Sequence, residues 1–159
     1  MPTVTEWTIR SAAPQDAQTV LDLWAAADSL PSVTDTPEGL LALLATDAEA
    51  LLLAEIDGTV IGSLIAAWDG WRGSFYRLAV HPDHRRRGIA TALLREGERR
   101  LRARGAVRLT AIVADSDTVA VGFWAAAGYA KQDDRARFVR VSPAVGVPSA
   151  PTAAPPWPW

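Results

Sequence analysis

Between His81 and Thr91 the chain reads His-Pro-Asp-His-Arg-Arg-Arg-Gly-Ile-Ala-Thr, a run suited to holding an anion. Arg85, Arg86 and Arg87 offer forked donors that match phosphate oxygens. Gly88 has no Cβ, so the main chain there can close on a ligand. The apolar run Phe75–Val80 precedes this segment and a long amphipathic run follows it. The pattern predicts a strand, a basic turn and a helix start. At such a start the first N–H groups lack intrahelical partners and the dipole adds partial positive charge. A diphosphate fits there. The spacing is not a Walker pattern, because no Lys-Ser/Thr follows the glycine, and it is not G-x-G-x-x-G. A basic turn that merely caps a surface helix would use the same residues, so the rest of the chain must decide.

A second motif lies downstream. Asp115 to Asp117 reads as a turn, Val119 to Ala127 as a short helix, and Gly128-Tyr129 as its stop. Taken together, the two segments resemble the GNAT superfamily of acyl-CoA-dependent N-acyltransferases. Arg85-x-x-Gly88-x-Ala90 is similar to that family's pyrophosphate motif, Arg/Gln-x-x-Gly-x-Gly/Ala. Leu78-Ala79-Val80-His81-Pro82 looks like its central strand and exit. The second signature is usually Asn-x-x-Ala-x-x-Phe-Tyr, followed four residues on by Gly-Phe or Gly-Tyr. Aligned on Ala120, the residues Phe123, Gly128 and Tyr129 match. Asp117 stands where asparagine is usual, and Trp124 where tyrosine is usual.

The resemblance implies acetyl-CoA as co-substrate and no metal. It assigns the cofactor to Leu78, Ala79, Val80, Arg85, Arg86, Arg87, Gly88, Ile89, Ala90, Thr91, Asp117, Ala120, Phe123 and Trp124. It also places the Val80 backbone N–H at the thioester oxygen, where negative charge develops. The implied reaction is attack of a neutral amine on the thioester, so catalysis is mostly positioning of two substrates. In the family, the tyrosine can protonate the departing thiolate. The indole of Trp124 donates a hydrogen bond but keeps its proton at working pH. A thiol with pKa of roughly 8.5 leaves readily as thiolate all the same. Tyr76 and Tyr129 are the other phenols available, although both also read as sheet or core residues. Asp69, Tyr76, His81 and Glu55 are candidates for the base that takes the amine proton. His81 has a suitable intrinsic pKa but precedes Pro82 in the turn. A non-catalytic acyl-CoA-binding module and an acyltransferase using another acyl-CoA are the alternative functions.

The elements that must position these residues follow from periodicity and turn chemistry. Glu6 to Arg10 is predicted as a strand, and Pro14 opens a helix with Ala17, Val20, Leu21 and Trp24 on one face. Thr36-Pro37-Glu38 starts a second helix. The intervening stretch, Asp28 to Asp35, often overhangs the substrate site in folds of this kind. Ala50–Ile56 and Thr59–Trp68 flank Asp57-Gly58, a hairpin signal. Asp69 to Gly73 turns the chain into Ser74–Val80. The helix from Arg87 to about Arg104 points Ile89, Leu93, Leu94, Gly97 and Leu101 inward. Val107–Val113 is then a parallel strand reached by a crossover. Tyr129–Lys131 and Arg135–Val141 are expected as a last hairpin. The order is β-α-α-β-β-β-α-β-α-β-β. It predicts an α/β (α+β) fold with one mixed, mostly antiparallel twisted sheet of about seven strands and about four helices. The resemblance assigns residues 1–141 to the acetyltransferase domain.

Composition bounds the rest. The chain has 159 residues, enough for one sizeable core. The formal net charge of −2 gives no global pull toward nucleic acid, and the absence of cysteine excludes disulfides, thiolate zinc sites and a cysteine nucleophile. No apolar run is long enough to span a bilayer, so a cytoplasmic protein without membrane partners is expected. Residues 142–159 hold most of the 11 prolines and end in Pro-Pro-Trp-Pro-Trp. They read as an extended or disordered tail whose tryptophans could dock on this chain or on a second copy in a homodimer. The acceptor is expected to be a small-molecule amine or a peptide N-terminus.

Overall fold

A computed structural model describes residues 6–142, and the expected tail at 142–159 lies outside them except for Ser142. Five strands form one sheet in the order β1 (Thr8–Ser11), β2 (Leu51–Ile56), β3 (Thr59–Trp68), β4 (Gly73–Val80) and β5 (Leu109–Ala111). The first four are antiparallel neighbours, and β4 pairs with β5 in parallel. Asp57 and Gly58 both take positive φ at the β2–β3 turn, as a tight hairpin of the sheet's twist requires.

Four helices cover the two faces. On one side lie α1 (Ala17–Ala26) and α2 (Pro37–Thr46), and on the other α3 (Ile89–Ala103) and α4 (Thr118–Ala126). The Thr36 side chain caps α2 by accepting from the Gly39 N–H at 3.0 Å, with Pro37 next in the first helical position. The alternation of each strand then separates two cores. Val20, Leu23, Trp24, Leu40, Leu53, Ile65 and Ala79 pack on the α1–α2 side. Leu52, Leu64, Phe75, Ile89, Leu93, Leu101 and Trp124 pack on the α3–α4 side. Gly97 lets α3 close on the sheet, since a Cβ there would stand 3.0 Å from both Leu64 Cδ2 and Phe75 Cε1.

The expected seventh and sixth strands are not formed, so the sheet has five strands among the described residues rather than seven. No strand occurs in Tyr129–Lys131 or Arg135–Val141, and the order ends at α4. The reason is legible in the pattern of residues 135–141. One face of such a strand would carry Arg135, Arg137, Val139 and Val141, and the other Ala136, Phe138 and Arg140. Neither face is apolar throughout, so no register buries it cleanly. Phe138 is 94% exposed. The expected strand at 107–113 also shrinks to three residues, which leaves little edge to pair with.

Charge holds the outer face of α3. Glu96 takes two hydrogen bonds from Arg99 at 2.9 and 2.7 Å and one from Arg100 at 3.0 Å. The Arg99 contacts first, then Arg100, hold the Glu96 carboxyl down at about 2, with burial opposing. A carboxyl lowered in the folded state adds stability above its unfolded pKa and loses it as pH falls through the folded one. Urea unfolding of wild type should therefore weaken between about pH 4.5 and pH 2 by of order 1 kcal/mol more than that of Glu96→Gln. Parallel pH profiles for the two proteins would remove Glu96 as the source.

Candidate active site

The strand β4 carries an irregularity that shapes the site. Ser63 pairs with Ala79 and Ile65 with Tyr76, so Leu64 faces two residues, Arg77 and Leu78. This is a β-bulge, and Arg77 sits at φ 54°, which a non-glycine residue adopts only at a cost. Pairing between β4 and β5 stops at Phe75 and Ala111, just before the bulge. Beyond that point β4 has an open edge. The His81 N–H donates to the Ile61 carbonyl on β3 at 2.8 Å. Since polar groups alternate along a strand, the Val80 N–H and C=O turn away from β3 toward the open edge. The Val80 N–H thus faces the edge of β4 beyond its last pair with β5.

The chain leaves β4 through a short 3-10 turn, Pro82–His84, into the basic segment. His81 is occupied in that turn, where its Nδ1 accepts from the Asp83 N–H at 3.2 Å. Arg86 and Gly88 both take positive φ, at 65° and 80°, which curls the main chain before α3. Gly88 is the N-cap of α3, and no side chain caps it. The amides of Ile89, Ala90 and Thr91 follow it in the uncapped first turn, with no intrahelical acceptor. A Cβ built on Gly88 meets nothing within 4 Å, so the space in front of these amides is open. Arg86 and Arg87 are exposed beside it. An open hollow continues from Gly88 and Thr91 along α3 to Arg95 and Arg99, away from the β4–β5 gap. Arg85 is used differently from the expectation of a free phosphate donor. Its Nε donates to the Val80 carbonyl at 3.1 Å and its Nη2 to the Ala27 carbonyl at 3.4 Å. It ties the exit of β4 to the end of α1.

The second motif lies across the gap. Asp117 caps α4 by accepting from the Ala120 N–H at 3.0 Å. Trp124 is 9% exposed and sits among Phe75, Phe123 and Tyr129, with ring centroids 5.8, 5.6 and 4.9 Å away. Tyr129 donates to Glu98 Oε1 at 3.1 Å, and burial, followed by the Glu98 charge, pushes its hydroxyl above the usual phenol range. Tyr76 is placed otherwise. It pairs with Ile65, shares that residue's face toward α1 and α2, and is 44% exposed. Of the other base candidates, Glu55 is ion-paired with Arg10 at 3.0 Å. Asp69 accepts from the Trp71 and Arg72 amides in the β3–β4 turn, at the far end of β4 from Val80.

One group of residues carries no signal in the sequence. The loop 27–36 is fastened to the bulge by Arg77, whose Nη2 meets Asp35 Oδ2 at 2.6 Å and whose Nη1 donates to the Leu30 carbonyl at 2.8 Å. The buried Ser63 hydroxyl accepts from the Trp24 indole at 2.8 Å and donates to the Arg77 carbonyl at 2.9 Å. Nothing in Phe75–Val80 announces a bulge, because the run reads as one continuous strand.

A parallel pair that parts, with an uncapped helix N-terminus beside the opened edge, is the arrangement that the resemblance to the GNAT acyltransferases implies. Comparison with known proteins makes this specific. The model of the Acetyltransferase (GNAT) family matches residues 17–129. An acetyltransferase of Yersinia pestis (strain Pestoides F) is 38% identical over 125 residues, covering 79% of this chain and 89% of that protein. The structure of Ard1 from Thermoplasma volcanium superposes with a TM-score of 0.69 at 21% identity, over 78% of this chain and 82% of that one. A GNAT family acetyltransferase from Brucella melitensis, solved in complex with acetyl-CoA, is 28% identical with a TM-score of 0.54, over 74% and 82%. The chain belongs to the GNAT family and is an acetyltransferase. Among the described residues, no helix is long and apolar enough to cross a membrane.

Proposed function

We propose that this acetyltransferase moves the acetyl group of acetyl-CoA to the amine of a small molecule or a peptide N-terminus. The observation that supports it most directly is the coincidence of two open donor sets at one end of β4. The free edge at Val80 and the uncapped first turn of α3 are joined by the turn at 81–88. The amides of the first turn, with Arg86 and Arg87, hold the pyrophosphate, and the cofactor's acyl arm enters between β4 and β5. The Val80 N–H donates to the thioester oxygen as the amine nitrogen attacks the carbonyl carbon. The carbon–sulfur bond breaks, coenzyme A leaves as thiolate, and the amine proton passes to water or to a group on the Tyr76 face. The Brucella melitensis structure, with its acetyl-CoA, supports the choice of donor.

The test is release of free thiol from acetyl-CoA across a panel of spermidine, L-2,4-diaminobutyrate, an aminoglycoside, lysine and a short peptide, with succinyl-CoA as a second donor. Turnover with acetyl-CoA and at least one amine is expected. Binding of acetyl-CoA without thiol release on any amine would overturn the reading.

Trp124 lies at the position where the family's tyrosine is usual, yet its ring is packed in the core. Trp124→Phe should hold kcat within about threefold of wild type, because ring packing is kept and no transferable proton is lost. A drop of a hundredfold in a folded variant would show that the indole N–H takes part.

A further inference from the structure

Arg77 joins two parts of the site that no motif connects. Its backbone forms the β3–β4 bulge, just past the last residue of β4 that pairs with β5. Its side chain reaches the α1–α2 loop, bonding the Asp35 carboxylate and the Leu30 carbonyl. Asp35 also accepts from the Ser32 N–H at 2.9 Å, so the loop is folded around the same carboxylate. The Arg77 guanidinium stands 5.1 Å from the centre of the Trp24 ring. The Trp24 indole bonds Ser63, and Ser63 returns to the Arg77 carbonyl. The circuit closes on itself. Both members of the Arg77–Asp35 pair have side chains only 18% exposed, so the pair is shielded well beyond an ordinary surface ion pair.

The circuit has a physical logic. A bulge leaves a carbonyl without its ladder partner. Ser63 satisfies that carbonyl, and the contacts of the side chain offset the cost of positive φ at Arg77. Loosening the loop therefore loosens the bulge, and the reverse holds.

We infer that Arg77, through Asp35, is a positioning residue that sets the acceptor side of the site by holding the loop 27–36 against the bulge. The inference rests on the reading of an amine acetyltransferase whose acyl arm enters at that bulge. Tyr76, half-exposed on the same face, is the neighbouring group that the held loop would confine with an acceptor.

The test uses the full chain with Arg77→Met, Asp35→Asn and the double variant. Should Arg77→Met fail to fold, Asp35→Asn alters only the loop end and keeps the comparison. Backbone amides of residues 28–36 should exchange at least about tenfold faster in each variant. The KM for whichever panel amine wild type acetylates should rise by about tenfold, while acetyl-CoA affinity, measured calorimetrically, stays within about twofold. The double variant should resemble Arg77→Met, because removing the guanidinium already removes its contact with Asp35. Unchanged exchange in the loop overturns the inference. So does a loosened loop with amine KM and amine preference both unchanged, or additive effects in the double variant. If wild type binds acetyl-CoA but acetylates none of the amines, the acetyl-transfer reading fails first and this inference falls with it.

Discussion

Gly88→Glu should lower acetyl-CoA affinity by on the order of a hundredfold or more while the protein stays folded. Two effects combine. The residue at φ 80° must hold a side chain in the left-handed region, costing roughly 1–2 kcal/mol. That cost falls on stability and leaves an otherwise intact core. The larger effect is on binding. The new carboxylate stands at the uncapped start of α3, in space that is open and that we assign to the pyrophosphate. Like charges about 4 Å apart repel by about 4 kcal/mol at the effective dielectric of a protein surface. A factor of a hundred needs only about 2.7 kcal/mol of this. Gly88→Asn is the control, since asparagine tolerates left-handed φ and adds no charge; it should lose far less affinity. Calorimetric titration with acetyl-CoA, alongside circular dichroism, separates the two effects. Unchanged affinity in folded Gly88→Glu would show that the pyrophosphate lies elsewhere.

Much of that argument could be made from the residues alone, and the parts that could not share a cause. The α3 pattern is strong: Ile89, Leu93, Leu94, Gly97 and Leu101 are all buried as their spacing requires. Asp57-Gly58 and Thr36-Pro37 announced a hairpin and a helix start by local chemistry, and both occur. The uncapped start of α3 at Gly88 was legible for the same reason, because a glycine after arginines at the end of an apolar run has local meaning. The bulge at Arg77 has none. It is a one-residue offset between two strands, and only the pairing partner reveals it. The tie from Arg77 to Asp35 spans 42 positions and needs the fold before it exists. Arg85 shows the same dependence on the fold: its type suits phosphate, and its place beside the Val80 and Ala27 carbonyls is tertiary. The absent last hairpin shows the limit of counting apolar residues. Residues 135–141 contain enough of them for a strand, but they do not fall on one face.

Phe75→Ala should be the most damaging single truncation for stability, at about 3–5 kcal/mol. Phe75 is fully buried and is the last residue of β4 that pairs with β5. Its ring meets Trp124 at a tilt and Tyr129 edge-on, at 5.8 and 6.3 Å. It also fills the space opposite Gly97, where α3 lies nearest the sheet. Truncation would leave a void between α3, α4 and the sheet, lined by large groups that cannot all move inward. The loss is a large fraction of the 5–15 kcal/mol that holds a typical domain together. A fall in Tm of about 10 °C is expected, read by calorimetry. Phe75→Leu should cost less than half as much, since most of the volume remains. The last β4–β5 pair is Phe75 with Ala111, and the Phe75 ring packs there against Trp124 of α4. A stable Phe75→Ala variant, losing under about 1.5 kcal/mol, would mean that α4 is anchored by other contacts.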